Sequence, residues 1–164
     1  MAAEYSFDVV SRVDITEVKN AIDQAEREIA NRFDFRGTKT KFDLEGDAIK
    51  ILSDDEFHLT MVLDILRSKL AKRNVSLKAL EYSKIESASG GAVRQTVTLK
   101  QGIPMEEAKA LVRDIKAAGI KAQAQVQGDQ LRVTGKDKDA LQAVQRLIRS
   151  KEDIACDVEF INYR

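Results

Sequence analysis

The 164-residue chain is long enough for one ordinary domain or two small ones, and its 43% apolar content suits a folded core rather than a disordered segment. Its 27 basic and 27 acidic side chains cancel, which argues against a protein devoted to indiscriminate polyanion binding. No apolar run approaches the roughly 18 residues of a membrane span, no signal-peptide pattern opens the chain, and the single cysteine, Cys156, excludes an intrachain disulfide or a cysteine-held metal; a cytoplasmic protein fits these features.

The first alternation, YSFDVVSRV over 5–13, predicts a strand with Phe7 and Val9 on its packed side. Asp14 is placed to cap a helix, with Glu17 three residues on as in a capping box. The apolar stripe of that helix is Val18, Ala21, Ile22, Ala25 and Ile29. At its exit stands RFDFRG (32–37), where Arg32 and Arg36 could grip a phosphate or simply flank a pair of core phenylalanines, Phe33 and Phe35. TKTKFDLE (38–45) and AIKIL (48–52) predict strands joined by a turn at Gly46-Asp47. A helix over Asp55–Arg73 buries Leu59, Val62, Leu63, Leu66 and Leu70. Its acidic start and its basic end (Arg67, Lys69, Lys72, Arg73) complement the helix dipole. His58, the one histidine, has no sequence neighbour that makes a triad or a metal site. VSLKALE (75–81) predicts a fourth strand.

The second half begins with a hairpin around Gly90-Gly91 and the strand VRQTVTLK (93–100). Pro104 suits a helix start, Met105, Ala108, Leu111, Val112 and Ile115 form the buried stripe, and Gly119 ends it. KAQAQVQGDQLRVTGK (121–136) alternates strictly, with Ala122, Ala124 and Val126 against Lys121, Gln123, Gln125 and Gln127. Gly128-Asp129 turns it into a strand with Leu131 and Val133 packed and Gln130, Arg132 and Thr134 opposite. A helix with Leu141, Val144, Leu147 and Ile148 and a closing strand, CDVEFINY (156–163), complete the chain.

Gly46–Lys69 aligns without a gap on Gly128–Lys151, both opening on Gly-Asp and closing on Arg-Ser-Lys, which reads as a duplication. Each half is then β-α-β-β-α-β, and the predicted fold is α+β: two tandem ferredoxin-like sandwiches, antiparallel sheets with both helices on one face. The expected division is 1–82 and 83–164, with 75–100 as a possible shared hairpin and exchange of a terminal strand between halves left open. The first half holds 13 basic and 16 acidic residues and the second 14 and 11, so any anion-binding tendency falls in the second.

Projected onto the uncovered face of the second sheet, Arg94, Thr96, Thr98 and Lys100 join Lys121, Gln123, Gln125 and Gln127, then Gln130, Arg132 and Thr134. That face would carry cations and amides and no carboxylate on these three strands, although Asp157 and Glu159 fall on the same side of the last strand. Arg94, Lys100, Lys121 and Arg132 would neutralise phosphates, and Gln123 and Gln125 would meet base or ribose edges. Two readings stay open: a ligand surface, or an ordinary solvated sheet face or domain interface. The third strand of each half lacks the aromatics on which RNA-recognition domains stack bases. Neither a phosphate-binding GxxxxGK[ST] loop nor a catalytic or metal constellation occurs.

SFDVVSRVD (6–14), RFDFRG (32–37), LKQGI (99–103), KAQAQVQGD (121–129), LRVTGK (131–136) and DALQAV (139–144) together resemble the bacterial YajQ family across nearly the whole chain. The resemblance implies tandem ferredoxin-like domains related to RNA-recognition folds and binding of RNA or purine nucleotides. For some members it implies a cyclic-dinucleotide regulatory role. It implies no enzymatic activity and no cofactor. The expected function is non-catalytic binding of nucleotide or RNA through Arg94, Lys100, Lys121, Gln123, Gln125, Arg132 and, at the first helix exit, Arg36. The alternatives are a small-ligand sensor acting through a protein partner and a protein-interaction adaptor; no membrane partner is expected.

Overall fold

The computed structural model describes residues 4–151 and 156–164. In chain order the elements are β1 (Tyr5–Val10), α1 (Ile15–Asn31), β2 (Lys41–Glu45), β3 (Ala48–Ser53), α2 (Glu56–Lys72), β4 (Leu80–Tyr82) and β5 (Glu86–Ser87). They continue with β6 (Val93–Leu99), α3 (Met105–Ala117), β7 (Gln123–Gln127), β8 (Gln130–Gly135), α4 (Lys138–Arg149) and β9 (Glu159–Ile161).

The chain forms two compact units, one of residues 13–100 and one of residues 1–12 with 101–164. In the first, the strands run in the order β2-β3-β6-β4, with β5 also on β6, and α1 and α2 supply the helical layer. Its core joins Val18, Ala21 and Ala25 of α1 and Leu59, Val62 and Leu66 of α2 to Ile49, Ile51 and Val97 of the sheet. In the second, the order is β7-β8-β1-β9 with α3 and α4. Phe7 and Val9 lie at its centre with Leu111, Ile115, Leu131, Val133, Val144 and Ile148. Each is an α+β, ferredoxin-like sandwich of antiparallel strands.

The unit boundaries therefore fall after Arg12 and after Lys100, not after Tyr82. In each sheet the slot of the first strand is filled from the other half of the chain: β1 pairs with β8 and β9, and β6 pairs with β3 and β4. Alternation fixes which face of a strand is buried, but not which sheet the strand joins. Phe7 packs edge-on to Phe160 at 5.4 Å and stacks on Tyr163 at 6.0 Å, while Gln95 on β6 donates its amide to the Ser83 carbonyl at 2.8 Å.

Local signals explain most of the element ends. Asp14 Oδ1 accepts from the Thr16 and Glu17 amides at the start of α1, and Asp55 and Asp137 cap α2 and α4 in the same manner. The strand expected over 75–81 is shortened to β4, because Asn74 turns left-handed (φ 61°) after α2 and Ser76 caps a 3-10 turn at Leu77–Ala79. Pro104 stands at the cap position of α3, so Met105 begins the helix on its exposed side rather than in the buried stripe.

The return of the chain into the unit of β1 is pinned at Gly102, whose amide donates to the Ser11 carbonyl at 2.7 Å; next to it Ile103 donates to the Asp129 carbonyl at 2.8 Å. Gly102 has φ 87°, and a Cβ there would lie 2.8 Å from Asp129 Cβ. Gly102→Ala is expected to lose about 1–3 kcal/mol of stability in urea denaturation, from left-handed strain and from crowding. Gly37→Ala, at φ 76° with open space around it, should lose distinctly less. Equal losses would mean that the Asp129 contact is not a constraint.

Candidate functional site

The face of the β7-β8-β1-β9 sheet turned away from its core is built in rows set by register. Ser6, Thr134 and Gln123 form one row, and Asp8, Arg132 and Gln125 the next. Gln127 lies opposite Gln130 beyond them, while Ile161 and Glu159 of β9 flank Asp8 and Val10. The three β7 glutamines are exposed.

Insertion of β1 changes the electrostatics expected of this face. A carboxylate, Asp8, stands at its centre with only 2% of its side chain exposed. Arg132 Nε donates to Asp8 Oδ1 at 3.0 Å and Asn162 Nδ2 donates to Oδ2 at 2.8 Å. Asn162 reaches it from a left-handed backbone (φ 56°) that asparagine tolerates better than most residues. The Arg132 hydrogen bond first, opposed by desolvation and then aided by the Asn162 amide, holds the Asp8 carboxyl below the ordinary carboxylate value. Arg132 is thus neutralised and aimed. Its Nε is engaged at Asp8, and the side chain keeps 38% of its exposure. Glu159 is likewise matched, by Arg12 Nε at 3.0 Å. The face consequently offers amides, hydroxyls and one clamped guanidinium, not a field of positive charge.

Of the residues expected from the sequence, Lys121, Gln123, Gln125 and Arg132 share this sheet or its rim. Lys121 lies just before β7 and lines a hollow of about 470 Å³ with Gln123, Thr134, Lys136, Glu4 and Asp137. Arg94 and Lys100 do not join them, since β6 belongs to the sheet of residues 13–100. There Arg94 stands in register with Leu52 and Glu86, among Lys41, Asp43, Glu45, Lys50 and Glu81 on one mixed-charge face. Lys100 is exposed just after β6, its amide donating to the Ala79 carbonyl. The expected continuous face of three strands is therefore split between two sheets.

Arg36 lies in the same unit as Arg94, with its guanidinium 5.4 Å from the ring centre of Phe33. Only one of the two phenylalanines at this helix exit is core: Phe35 is buried, whereas Phe33 is 82% exposed. Arg32 is taken by Asp34 at 2.8 Å and Glu28 at 3.6 Å. His58 has a structural place, its Nδ1 2.8 Å from Asp55 Oδ1 at the cap of α2, and that carboxylate raises the imidazole pKa. The thiol of Cys156 is pushed up to about 11, chiefly by burial and then by Glu107, so at neutral pH it is not a thiolate nucleophile. Among the described residues no group of three His, Cys, Asp or Glu side chains is arranged to hold a metal, and no helix is long and apolar enough to cross a membrane.

The family described as "Nucleotide-binding protein YajQ-like" matches residues 5–164. The chain belongs to that family. It is 54% identical over 162 residues to a nucleotide-binding protein of Koribacter versatilis, covering 99% of this chain and 98% of the relative. It is 52% identical over 164 residues, the full length of both, to a nucleotide-binding protein of Desulfitobacterium hafniense. A nucleotide-binding protein of Desulforamulus reducens is 54% identical over 165 residues, 100% of this chain and 99% of that one. The family is named for binding, not for a reaction.

The missed feature of this site is Asp8. Its signal was an acidic residue between Phe7 and Val9, on the polar side of an otherwise apolar strand, but its partner depends on which sheet that strand enters. Asp8→Asn is expected to lower stability at pH 7 by about 1–3 kcal/mol, the usual cost of weakening a buried, charge-assisted hydrogen bond. Because the folded-state pKa is depressed, this contribution is present above the ordinary Asp value of about 3.9 and fades as pH falls from there through the folded value. Urea titrations should thus show the gap between wild type and variant narrowing as pH falls below the ordinary Asp value of about 3.9; a gap that is absent at pH 7 would contradict the clamp.

Proposed function

We propose that this chain is a non-catalytic, cytoplasmic nucleotide-binding protein that takes single-stranded RNA on the open face of the β7-β8-β1-β9 sheet. The observation that carries the reading is the pairing of Arg132 with Asp8 inside rows of Gln, Thr and Ser side chains. A guanidinium held at its Nε and still partly exposed has terminal N–H donors not used by Asp8, the donor type that reads a guanine edge, and amides both donate and accept toward bases. A polar, open sheet face suits an extended strand of nucleotides better than it suits a compact metabolite.

Phosphate contact falls to the rim, where Lys121 and Lys136 border the hollow beside Gln123. Two such contacts give a log K against log salt slope of about −1.4 for a single strand, much shallower than a true basic groove would give. A protein with balanced charge is consistent with that.

The reading is tested by fluorescence anisotropy with a labelled RNA decamer of mixed sequence across a salt series. Gln123→Ala/Gln125→Ala is expected to weaken binding by about tenfold, the loss of two modest hydrogen bonds, with the slope unchanged. Lys121→Ala should instead reduce the slope by about 0.7. Affinity untouched by the double substitution, or a slope steeper than about −3 that Lys121→Ala leaves alone, would place RNA elsewhere.

A further inference from the structure

The edge of a sheet leaves a row of backbone N–H and C=O groups unpaired, and folded proteins blunt such edges with charges, proline, bulges or short strands. Among the described residues every edge strand but one follows that rule. β2 carries Lys41, Asp43 and Glu45, all exposed. β4 and β5 are three and two residues long, and β9 is three residues long with Glu159 paired to Arg12. β7 is the exception. Its five residues, QAQVQ, pair with β8 in unbroken register and include neither a charge nor a proline.

The register also fixes which groups this edge presents. Ser6 exchanges its backbone hydrogen bonds with Arg164, on the β9 side of β1, so Phe7 and Val9 turn theirs toward β8. The same alternation carried across β8 points Leu131 and Val133 at β1, and Gln130, Arg132 and Thr134 at β7. Gln123, Gln125 and Gln127 therefore direct their backbone groups inward, to β8. The N–H and C=O of Ala124 and Val126 point the other way, whereas the Ala122 amide already donates to the Ile120 carbonyl at 2.8 Å.

The strand is close to its own complement. Read in either direction from Gln125 it alternates glutamine with a small apolar residue. An antiparallel copy centred there sets Gln125 opposite Gln125, Gln123 opposite Gln127 and Ala124 opposite Val126. Ala124 and Val126 can then exchange the backbone groups that β8 leaves free. Glutamine amides both donate and accept, so facing glutamines satisfy each other without a charge. The flanks match as well. Lys121 and Asp129 are equally far from Gln125 along the chain, both are exposed, and neither has an ion-pair partner among the described residues. Pairing about Gln125 brings Lys121 of each copy to Asp129 of the other. Centring on Ala124 instead would set Lys121 across from Gln127, so the flanking charges select Gln125.

We propose that β7 is a docking edge for a second copy of this chain, joined antiparallel about Gln125 so that the two four-stranded sheets become one. The two-fold axis of such a pair is perpendicular to the sheet, which keeps both helical layers on one side and both open faces on the other. The contact is confined to one short strand and its flanks, less than the roughly 1,200 Å² of a standard interface, so the dimer is weak and concentration-dependent. The pairing does not require RNA, and it stands whether or not the open face takes it.

The test is sedimentation equilibrium of the full chain from about 1 μM to about 1 mM, where an interface of this size associates. Wild type is expected to pass reversibly from monomer to dimer and no further. Ala124→Pro removes an outward N–H that no strand of the chain uses. It should weaken dimerisation at least about tenfold while circular dichroism and thermal melting stay close to wild type. Gln125→Glu sets like charges opposite each other; it should weaken the dimer similarly at pH 7 and recover toward about pH 4, and it carries the test if the proline variant does not fold. In a Cys156→Ser background, Gln125→Cys should form an interchain disulfide under mild oxidation, because that position faces its own copy. Gln123→Cys, which faces Gln127, should not. A dimer indifferent to both Ala124→Pro and Gln125→Glu, or cross-linking of Gln123→Cys as readily as Gln125→Cys, would overturn the proposal. A monomer at every concentration would also overturn it and leave the edge to a strand of another protein.

Discussion

The insertion of β1 between β8 and β9 is the constraint on which the character of this protein depends. A central strand contributes to both sides of its sheet. On the inner side β1 supplies Phe7 and Val9, both fully buried, and they complete the core against Leu131 and Val133. On the outer side it supplies Asp8, which neutralises Arg132 and fixes its direction. At its start Tyr5 lines a pocket with Tyr163 and Lys138. Had β6 filled this slot in its own register, Thr96, which pairs with Lys50 as Asp8 pairs with Arg132, would stand where Asp8 stands, and Arg132 would lack its carboxylate.

Charge in this unit is therefore spent locally rather than pooled. Arg132 with Asp8 and Arg12 with Glu159 each cancel at close range. What remains on the face is dipolar: amide and hydroxyl groups whose contacts with a ligand are short-ranged and directional. Such a surface discriminates by geometry and gains little from long-range attraction, which agrees with equal numbers of basic and acidic residues in the chain. Lys138 is the contrasting case, a cation set against a tyrosine ring and opposed by its own helix dipole.

Much of the fold was legible in the sequence because it is written in short-range patterns. The two-residue period of QAQVQ and the Gly128-Asp129 turn locate β7 and β8, and Asp14, Asp55 and Asp137 mark helix starts through groups two or three residues away. Which strand sits beside which is not short-range information. β1 and β6 both alternate and both precede a helix, so periodicity alone assigned β6 to the wrong neighbours and Arg94 and Lys100 to a face they do not share. Gln123, Gln125 and Arg132 fall on one face, as their alternation implies, because a hairpin contains its own partner. Asp8 with Arg132, and Tyr5 with Tyr163, are joined over more than a hundred residues and become visible only once the sheet order is known.

The most direct test of this account is the pairing of β1 itself, read from nuclear Overhauser contacts between backbone protons in the labelled full-length protein. The account requires cross-strand contacts between Phe7 and Val133 and between Asp8 and Arg132, together with contacts of Val9 to Phe160. Contacts from β1 to Ile49 and Ile51 of β3, with β6 alongside β8, would contradict it, and with it the clamped arginine and the tyrosine-lined pocket.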